Sequence, residues 1–278
     1  MALYTMKELL HDAQRRHYGI GFFNAVNMDM ARAYILAAEE VASPIIIGTA
    51  EALLGYASID WIAPLLIDAA RRARVPVAVH LDHSYRFDTL MQALRAGFGS
   101  VMYDGSRETH EHNIINSTKI AEIAHAMGAG VECELGRVGG LSDETGSEDT
   151  TEYTDPLMAK DFVDRTGADF LAVSIGTAHG VYKSTPKLDF ERLKAIRKTV
   201  DAPLVLHGGS GLSDDDFRLT VAHGIAKVNV YTDVILAAKR ALSGHPDASY
   251  TDALQLAEAA MKQATLKKLN LFGSAGKA

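Results

Sequence analysis

Residues 203–232 read PLVLHGGSGLSDDDFRLTVAHGIAKVNVYT, and the reading of this stretch decides the fold. An apolar run (204–207) breaks at a glycine-rich turn. A helical pattern (213–223) follows and stops at Gly224, a residue that tolerates the left-handed turn after a helix. A second apolar run (227–230) comes next. Both runs are near-continuous in apolar residues rather than alternating, the pattern of strands buried on both faces in a parallel sheet. The same alternation extends outward along the chain. Further strand-like runs lie at 20–23, 44–48, 77–81, 100–103, 130–134 and 170–174, so eight are expected. Helical patterns fill 29–42, with Asp29 as the expected N-cap, and 58–73, 86–96, 109–127, 156–166 and 189–199. Gly97, Gly128 and Gly167 stand where three of these should end. An extra N-terminal helix is expected at 5–17, ended by Gly19, and an extra C-terminal one at about 250–268. This alternation over 278 residues predicts an α/β chain with one domain, 1–278, folded as a parallel eight-stranded (β/α)8 TIM barrel. A doubly wound open sheet would carry a glycine-rich fingerprint after its first strand, and FNAVNMD (23–29) is not one.

Composition narrows the function. The formal net charge is −7, from 28 Lys and Arg against 35 Asp and Glu, so no nucleic-acid partner is expected, because phosphate backbones need clustered basic charge. No apolar stretch approaches the roughly 18 residues of a membrane span, and MALYTMKELLHDAQRR (1–16) lacks the apolar centre of a signal peptide. One cysteine rules out an intrachain disulfide framework and Cys-rich zinc modules. A cytoplasmic enzyme with no membrane partner is expected.

In a barrel of this kind the chemistry sits at the C-terminal ends of the strands. Those ends carry Asn24, Asp82 and His83, Asp104, Glu132 and Glu134, His179, His207 and Asn229. A lone histidine is more often a packing or surface residue than a ligand. His83, His179 and His207 are far apart in sequence, yet a barrel brings them to one mouth. Three imidazoles with open positions left over are a catalytic Zn²⁺ arrangement. His80 lies inside its strand and reads as structural or as orienting its neighbours. Asp82 is the acid/base candidate, with orientation of a metal ligand as its other reading. Glu132 and Glu134 are two apart and share a strand face, with Cys133 opposite, buried and inert. Two inward acids need a cation or hydrogen bonds: they could order the histidines, contact a second metal position, or pair with Arg137. No lysine ends an expected strand, and Lys227 opens the last one, at the wrong end for a Schiff base.

A phosphate cradle is the remaining constellation. The seventh run leads into Gly208-Gly209-Ser210-Gly211, and the eighth into Asn229-Val230-Tyr231-Thr232 before a helix. Backbone N–H groups in such turns and at a helix N-terminus bind phosphate without Lys or Arg, and the loops after strands seven and eight are the usual barrel phosphate site. The polar insert 141–155 (LSDETGSEDTTEYTD) reads either as a plain surface loop or as a lid over the mouth. Zinc, a phosphate cradle and an acid/base carboxylate together suit a phosphorylated hydroxycarbonyl substrate, with Zn²⁺ polarising the carbonyl and stabilising an enediolate.

The stretches HLDHS (80–84), YDGS (103–106), VECELGRVGG (131–140), VSIGTAHGVYKSTPKLDF (173–190), PLVLHGGSG (203–211), AKVNVYTD (226–233) and FGSAGKA (272–278) resemble, in order and over essentially the whole chain, the class II zinc-dependent ketose-bisphosphate aldolases. That family includes the fructose- and tagatose-1,6-bisphosphate aldolases. The resemblance implies that Asp82 transfers a proton and that His83, His179 and His207 hold the catalytic zinc. It implies an alternative or second metal position at Asp104 and Glu134. Gly180, Gly208, Gly209, Ser210, Asn229, Val230, Tyr231 and Thr232 match the segments that bind dihydroxyacetone phosphate, and Asn24 matches a substrate-contacting asparagine. A monovalent cation (Na⁺ or K⁺) near the phosphate and a homodimer or homotetramer are also implied. Three departures stand out. Relatives carry a glutamate soon after the Gly-Gly pair, whereas Gly139-Gly140 here precedes Leu141-Ser142-Asp143-Glu144, making Asp143 and Glu144 the candidates in a shifted register. Relatives place a serine after the second strand, where Ala50 stands here beside Thr49, the candidate substitute. No arginine beyond Arg240 marks a second phosphate site, and Lys183 and Arg137 are the cations to watch. The expected reaction is cleavage of a phosphorylated ketose, by default fructose or tagatose 1,6-bisphosphate. A longer or singly phosphorylated ketose, or a weakly active subunit of an aldolase assembly, is the alternative.

Overall fold

The structure is a computed structural model that describes residues 3–141, 148–149, 151–180 and 186–278. Eight parallel strands close into a barrel. They are β1 (Ile20–Asn24), β2 (Ile45–Ala50), β3 (Val77–Ser84), β4 (Ser100–Tyr103), β5 (Gly130–Leu135), β8 (Phe170–Val173), β10 (Leu204–Leu206) and β11 (Ile225–Val230). Around the barrel they run β1-β11-β10-β8-β5-β4-β3-β2, so each neighbours the next in sequence. Helices fill the crossovers: α2 (Met28–Glu40), α3 (Ile59–Arg72), α4 (Phe87–Ala96), α5 (His110–Ala126), α6 (Pro156–Thr166), α7 (Phe190–Thr199) and α8 (Asp214–Ala222), and α9 (Thr232–Ser243) follows the last strand. Flanking them are α1 (Met6–Arg16) and α10 (Tyr250–Leu271), the two extra helices the sequence predicts.

Strand alternation sorts the core into two clusters. Outward residues such as Val77, Val79, Leu81, Val131, Cys133 and Val228 pack against the helices. Inward residues such as Ile20, Phe22, Ile46, Ala78, Met102, Phe170 and Val205 form a second cluster with Met6, Leu9, Leu10 and Ala13 of α1. The helix α1 therefore plugs the N-terminal end of the barrel with apolar side chains, and polar groups gather at the other end.

Several boundaries differ from the sequence reading. The N-cap of α2 is Asn27, whose side chain accepts from the Met30 N–H at 3.0 Å, and Asp29 sits in the first turn. His17, not Gly19, ends α1, with its backbone in the left-handed region at φ 55°. A second, three-stranded sheet lies outside the barrel: β6 (Gly139–Leu141), β7 (Glu148–Asp149) and β9 (Ala178–His179). The polar insert thus contributes a short strand, β7, antiparallel to β6. Parallel pairing of β6 with β9 places His179 beside the loop that leaves β5.

Candidate active site

Successive strand residues ordinarily face opposite ways, so Asp82 and His83 should not both reach the mouth. A bulge resolves this. Leu81 pairs with Val101, yet Ser84 pairs with Tyr103, so β3 fits one extra residue against β4. His83 takes up the irregularity at φ 30°, in the left-handed region that side chains rarely adopt. Both side chains are buried at the mouth as a result. Asp82 accepts from the Asn24 amide at 3.1 Å and from the Asn229 amide at 3.0 and 3.1 Å.

The three predicted histidines do meet. His83 Nε2 lies 2.7 Å from His207 Nδ1, and the His179 ring packs 4.9 Å from that of His83 and 5.9 Å from that of His207. One nitrogen from each falls within 4.8 Å of the others. Each of two rings is aimed by a carboxylate on its far nitrogen: Asp104 on His83 Nδ1 at 2.9 Å, and Glu132 on His207 Nε2 at 2.8 Å. The buried Nε2 of His179 and Oε2 of Glu134 have no hydrogen-bond partner. His83, Asp104 and Glu134 form a second group of potential ligands.

Electrostatics describe a site built around a cation. Burial alone would lower the pKa of His83, but the charge of Asp82, then the hydrogen bond and charge of Asp104, push it up to about 10. Burial lowers His179 and His207, aided by the charge of His83. Burial, then the neighbouring Asp104 charge, raises Glu134. Asp82 is held below the usual carboxylate range, because His83 and Lys227 outweigh its burial. Facing imidazole nitrogens at 2.7 Å need a proton between them, which a shared metal would replace, and two buried ligand atoms are orphaned. The donor set therefore fits a divalent ion such as Zn²⁺.

The segments expected to bind phosphate also converge. Gly208 adopts φ 66°, and a Cβ there would lie 2.6 Å from the Ala178 carbonyl oxygen, so only glycine fits the turn beside β9. Ser210 Oγ accepts from the Asp233 N–H at 3.2 Å, tying this loop to the start of α9. That helix lacks a side-chain cap at Tyr231. Asn229, Val230, Tyr231 and Thr232 are buried where β11 hands over to α9, and Gly180 follows β9 with φ 82°.

Other expectations need correction. Arg137 pairs with Glu152 at 3.1 Å rather than with Glu132 or Glu134, because its backbone bridges Glu152 at the rim. Thr49 is in register with Leu81 and shares its outward face, while Ala50 is in register with Asp82; Thr49 is thus turned from the mouth. Asp143, Glu144 and Lys183 lie outside the described residues. One residue in contact with the site was missed. Lys227 is the third residue of β11 rather than the first, and its Nζ reaches Glu132 at 2.7 Å and approaches Asp82 at 3.9 Å. A lone lysine within an apolar strand run was the available signal. Arg107, in the loop after β4, lies over the Tyr85 ring with its guanidinium carbon 4.9 Å from the centroid.

The barrel and its histidine-carboxylate mouth define a lyase of the metal-dependent aldolase class. The model of the family described as "Fructose-bisphosphate aldolase class-II" matches residues 4–277, and the chain belongs to that family, whose members act on phosphorylated sugars. The YdjI protein of Escherichia coli (strain K12) is 40% identical over 271 residues, covering 96% of each chain. The fructose-bisphosphate aldolase of Thermus caldophilus is 38% identical over 305 residues, covering 99% of this chain and 100% of its own. The crystal structure of the YdjI aldolase superposes with a TM-score of 0.91 at 36% identity, covering 99% of each chain. Among the described residues, no helix is long and apolar enough to cross a membrane.

Proposed function

We propose that this chain, as one domain over 1–278, is a zinc-dependent aldolase that reversibly cleaves a phosphorylated ketose. The products are dihydroxyacetone phosphate and an aldehyde, glyceraldehyde 3-phosphate when the substrate is fructose or tagatose 1,6-bisphosphate. The carrying observation is the Asp82 carboxylate, held by two asparagine amides beside three converging imidazoles. His83, His179 and His207 would hold the metal, with Asp104 and Glu134 as its alternative position. The bound ion supplies Lewis-acid polarisation of the ketose carbonyl and charge to stabilise the enediolate. Asp82 takes the proton of the hydroxyl whose loss starts carbon–carbon cleavage and returns it to the aldehyde oxygen in reverse. Asn24 and Asn229 hold that carboxylate in place. The N–H groups around Gly180, Gly208, Gly209 and Ser210, and from Asn229 to Thr232, receive the phosphate, with a monovalent cation as neighbour. A homodimer or homotetramer in the cytoplasm completes the reading.

The far end of the substrate separates two readings. Arg107 at the rim supports a second phosphate. The pairing of Arg137 with Glu152 supports a longer or singly phosphorylated ketose. The test is a cleavage screen of the zinc-loaded enzyme, detecting dihydroxyacetone phosphate from bisphosphates, 1-phosphates and longer ketose 1-phosphates. Asp82→Ala should keep its zinc and lose about 10²–10⁴-fold in turnover, the range for general acid–base groups. Near-normal turnover would remove Asp82 from the chemistry.

A further inference from the structure

We propose that Lys227 is a positioning residue: through Glu132 it fixes which nitrogen of His207 faces the three-histidine cluster. The inference rests on the reading that those histidines hold a metal, and it assigns work to a side chain that the proposed reaction leaves unused.

The geometry begins with strand register. Between β10 and β11 the pairing shifts, so that Leu204 faces Ile225 while Val205 faces Lys227. Val205 belongs to the cluster inside the barrel, and Lys227 is turned to the same side. Its ammonium passes over the Phe22 ring, 4.6 Å from the centroid, and ends 2.7 Å from Glu132 Oε2. Lys227 and Glu132 are both 0% exposed. Glu132 uses its other oxygen, Oε1, for His207 Nε2 at 2.8 Å. The three groups thus form one line, from the ammonium through the two carboxylate oxygens to the imidazole.

An ionised carboxylate accepts hydrogen bonds and donates none. A Glu132 paired with Lys227 therefore requires the proton of a neutral His207 on Nε2, which leaves Nδ1 as the lone-pair nitrogen. Nδ1 is the atom that faces His83 Nε2 at 2.7 Å. Without Lys227, Glu132 would be a buried charge near Asp82 with no counter-ion, free to reorient or to meet His80, whose Nε2 is 3.6 Å away. A merely stabilising ion pair would not have to spend its second oxygen on a cluster histidine. Lys227 and Asn229 also share one face of β11: the first aims His207 through Glu132, and the second holds Asp82 directly. A single strand face thereby orients both halves of the site. The same contacts argue against Lys227 as a Schiff-base nucleophile, since its amine is committed to a carboxylate at the base of the site.

The test uses the full-length protein without substrate and Co²⁺ as the probe, reading affinity by chelator competition and geometry from the visible absorption bands. Lys227→Met should weaken Co²⁺ binding by about 10–100-fold, the usual effect of losing a partner that orients a ligand, and should shift the bands. Two double variants then separate orientation from charge. Glu132→Gln/Lys227→Met keeps a carbonyl acceptor for His207 Nε2–H and buries no charge, so affinity and bands should return to within about threefold of the unmutated protein. Glu132→Leu/Lys227→Met has no acceptor and should stay weak. Native binding by Lys227→Met, or equal binding by the two doubles, overturns the proposal. If the variants do not fold, ¹⁵N-histidine NMR of the unmutated protein decides: His207 should carry its proton on Nε2, with and without metal, and an Nδ1–H tautomer refutes the relay. Failure of the underlying metal reading looks different, because His83→Ala would then bind Co²⁺ as the unmutated protein does.

Discussion

Metal loading of this site should be governed by one proton on His83. With its pKa held near 10 by Asp82 and Asp104, metal-free His83 carries both ring protons at neutral pH. Nδ1–H points to Asp104 and Nε2–H to His207 Nδ1. A metal joining the three histidines must displace the proton on Nε2. At pH 7 the group lies about three pH units below its pKa, so apparent affinity should be about 10³-fold weaker than above pH 10, or ~4 kcal/mol at 1.36 kcal/mol per unit. Affinity should rise about tenfold per pH unit between about 7 and 9. The assay is calorimetric titration of the metal-free protein with Zn²⁺ held by a weak chelator, in two buffers of different ionisation enthalpy. At least one proton should be released per ion at pH 7.5, more than one if Glu134 also ionises. Metal-free stability runs the other way. A histidine with a raised folded-state pKa contributes stability that is complete below its unfolded value and lost as pH climbs towards 10. The gap in Tm between loaded and metal-free protein should therefore widen with pH. PH-independent affinity between 7 and 9 with no proton release would refute the reasoning.

Two further outcomes follow from the geometry. Asn229→Ala removes the amide that donates to both oxygens of Asp82 at 3.0 and 3.1 Å; kcat should fall by about 10–100-fold, the equivalent of a lost bond to a charged group, while metal affinity stays within a few-fold, as atomic absorption and steady-state assays would show. Arg107→Ala should raise KM for a 1,6-bisphosphate by about tenfold, a lost charge-assisted contact, and leave cleavage of a ketose 1-phosphate unchanged; equal effects on both would place Arg107 outside substrate recognition.

Local signals carried much of the fold. Apolar runs such as 77–81 and 204–207, and glycines such as Gly97 and Gly167, mark strands and helix ends because a doubly buried strand must be apolar and a left-handed C-cap favours glycine. The barrel rule then picked out Asp82 and the three histidines, which the structure brings together. What local pattern missed was set by the path of the backbone. Asn27 displaced Asp29 as a cap, and Arg137 bridged Glu152, because the paths of α2 and of the loop after β5 decide which partner is in reach.

The sequence by itself determined the element order, the parallel sheet, the residues at the mouth and the family resemblance, since periodicity and motif spacing are written along the chain. Tertiary structure alone decided how those residues are arranged. The extra residue of β3 against β4 turns adjacent Asp82 and His83 to one side; no alternation rule yields that, because a bulge exists only between two paired strands. The shift between β10 and β11 sends Lys227 inward, and barrel closure puts Glu132, from the opposite half of the chain, at the end of its reach. Both depend on distances across the barrel, which strand pairing sets and sequence spacing does not.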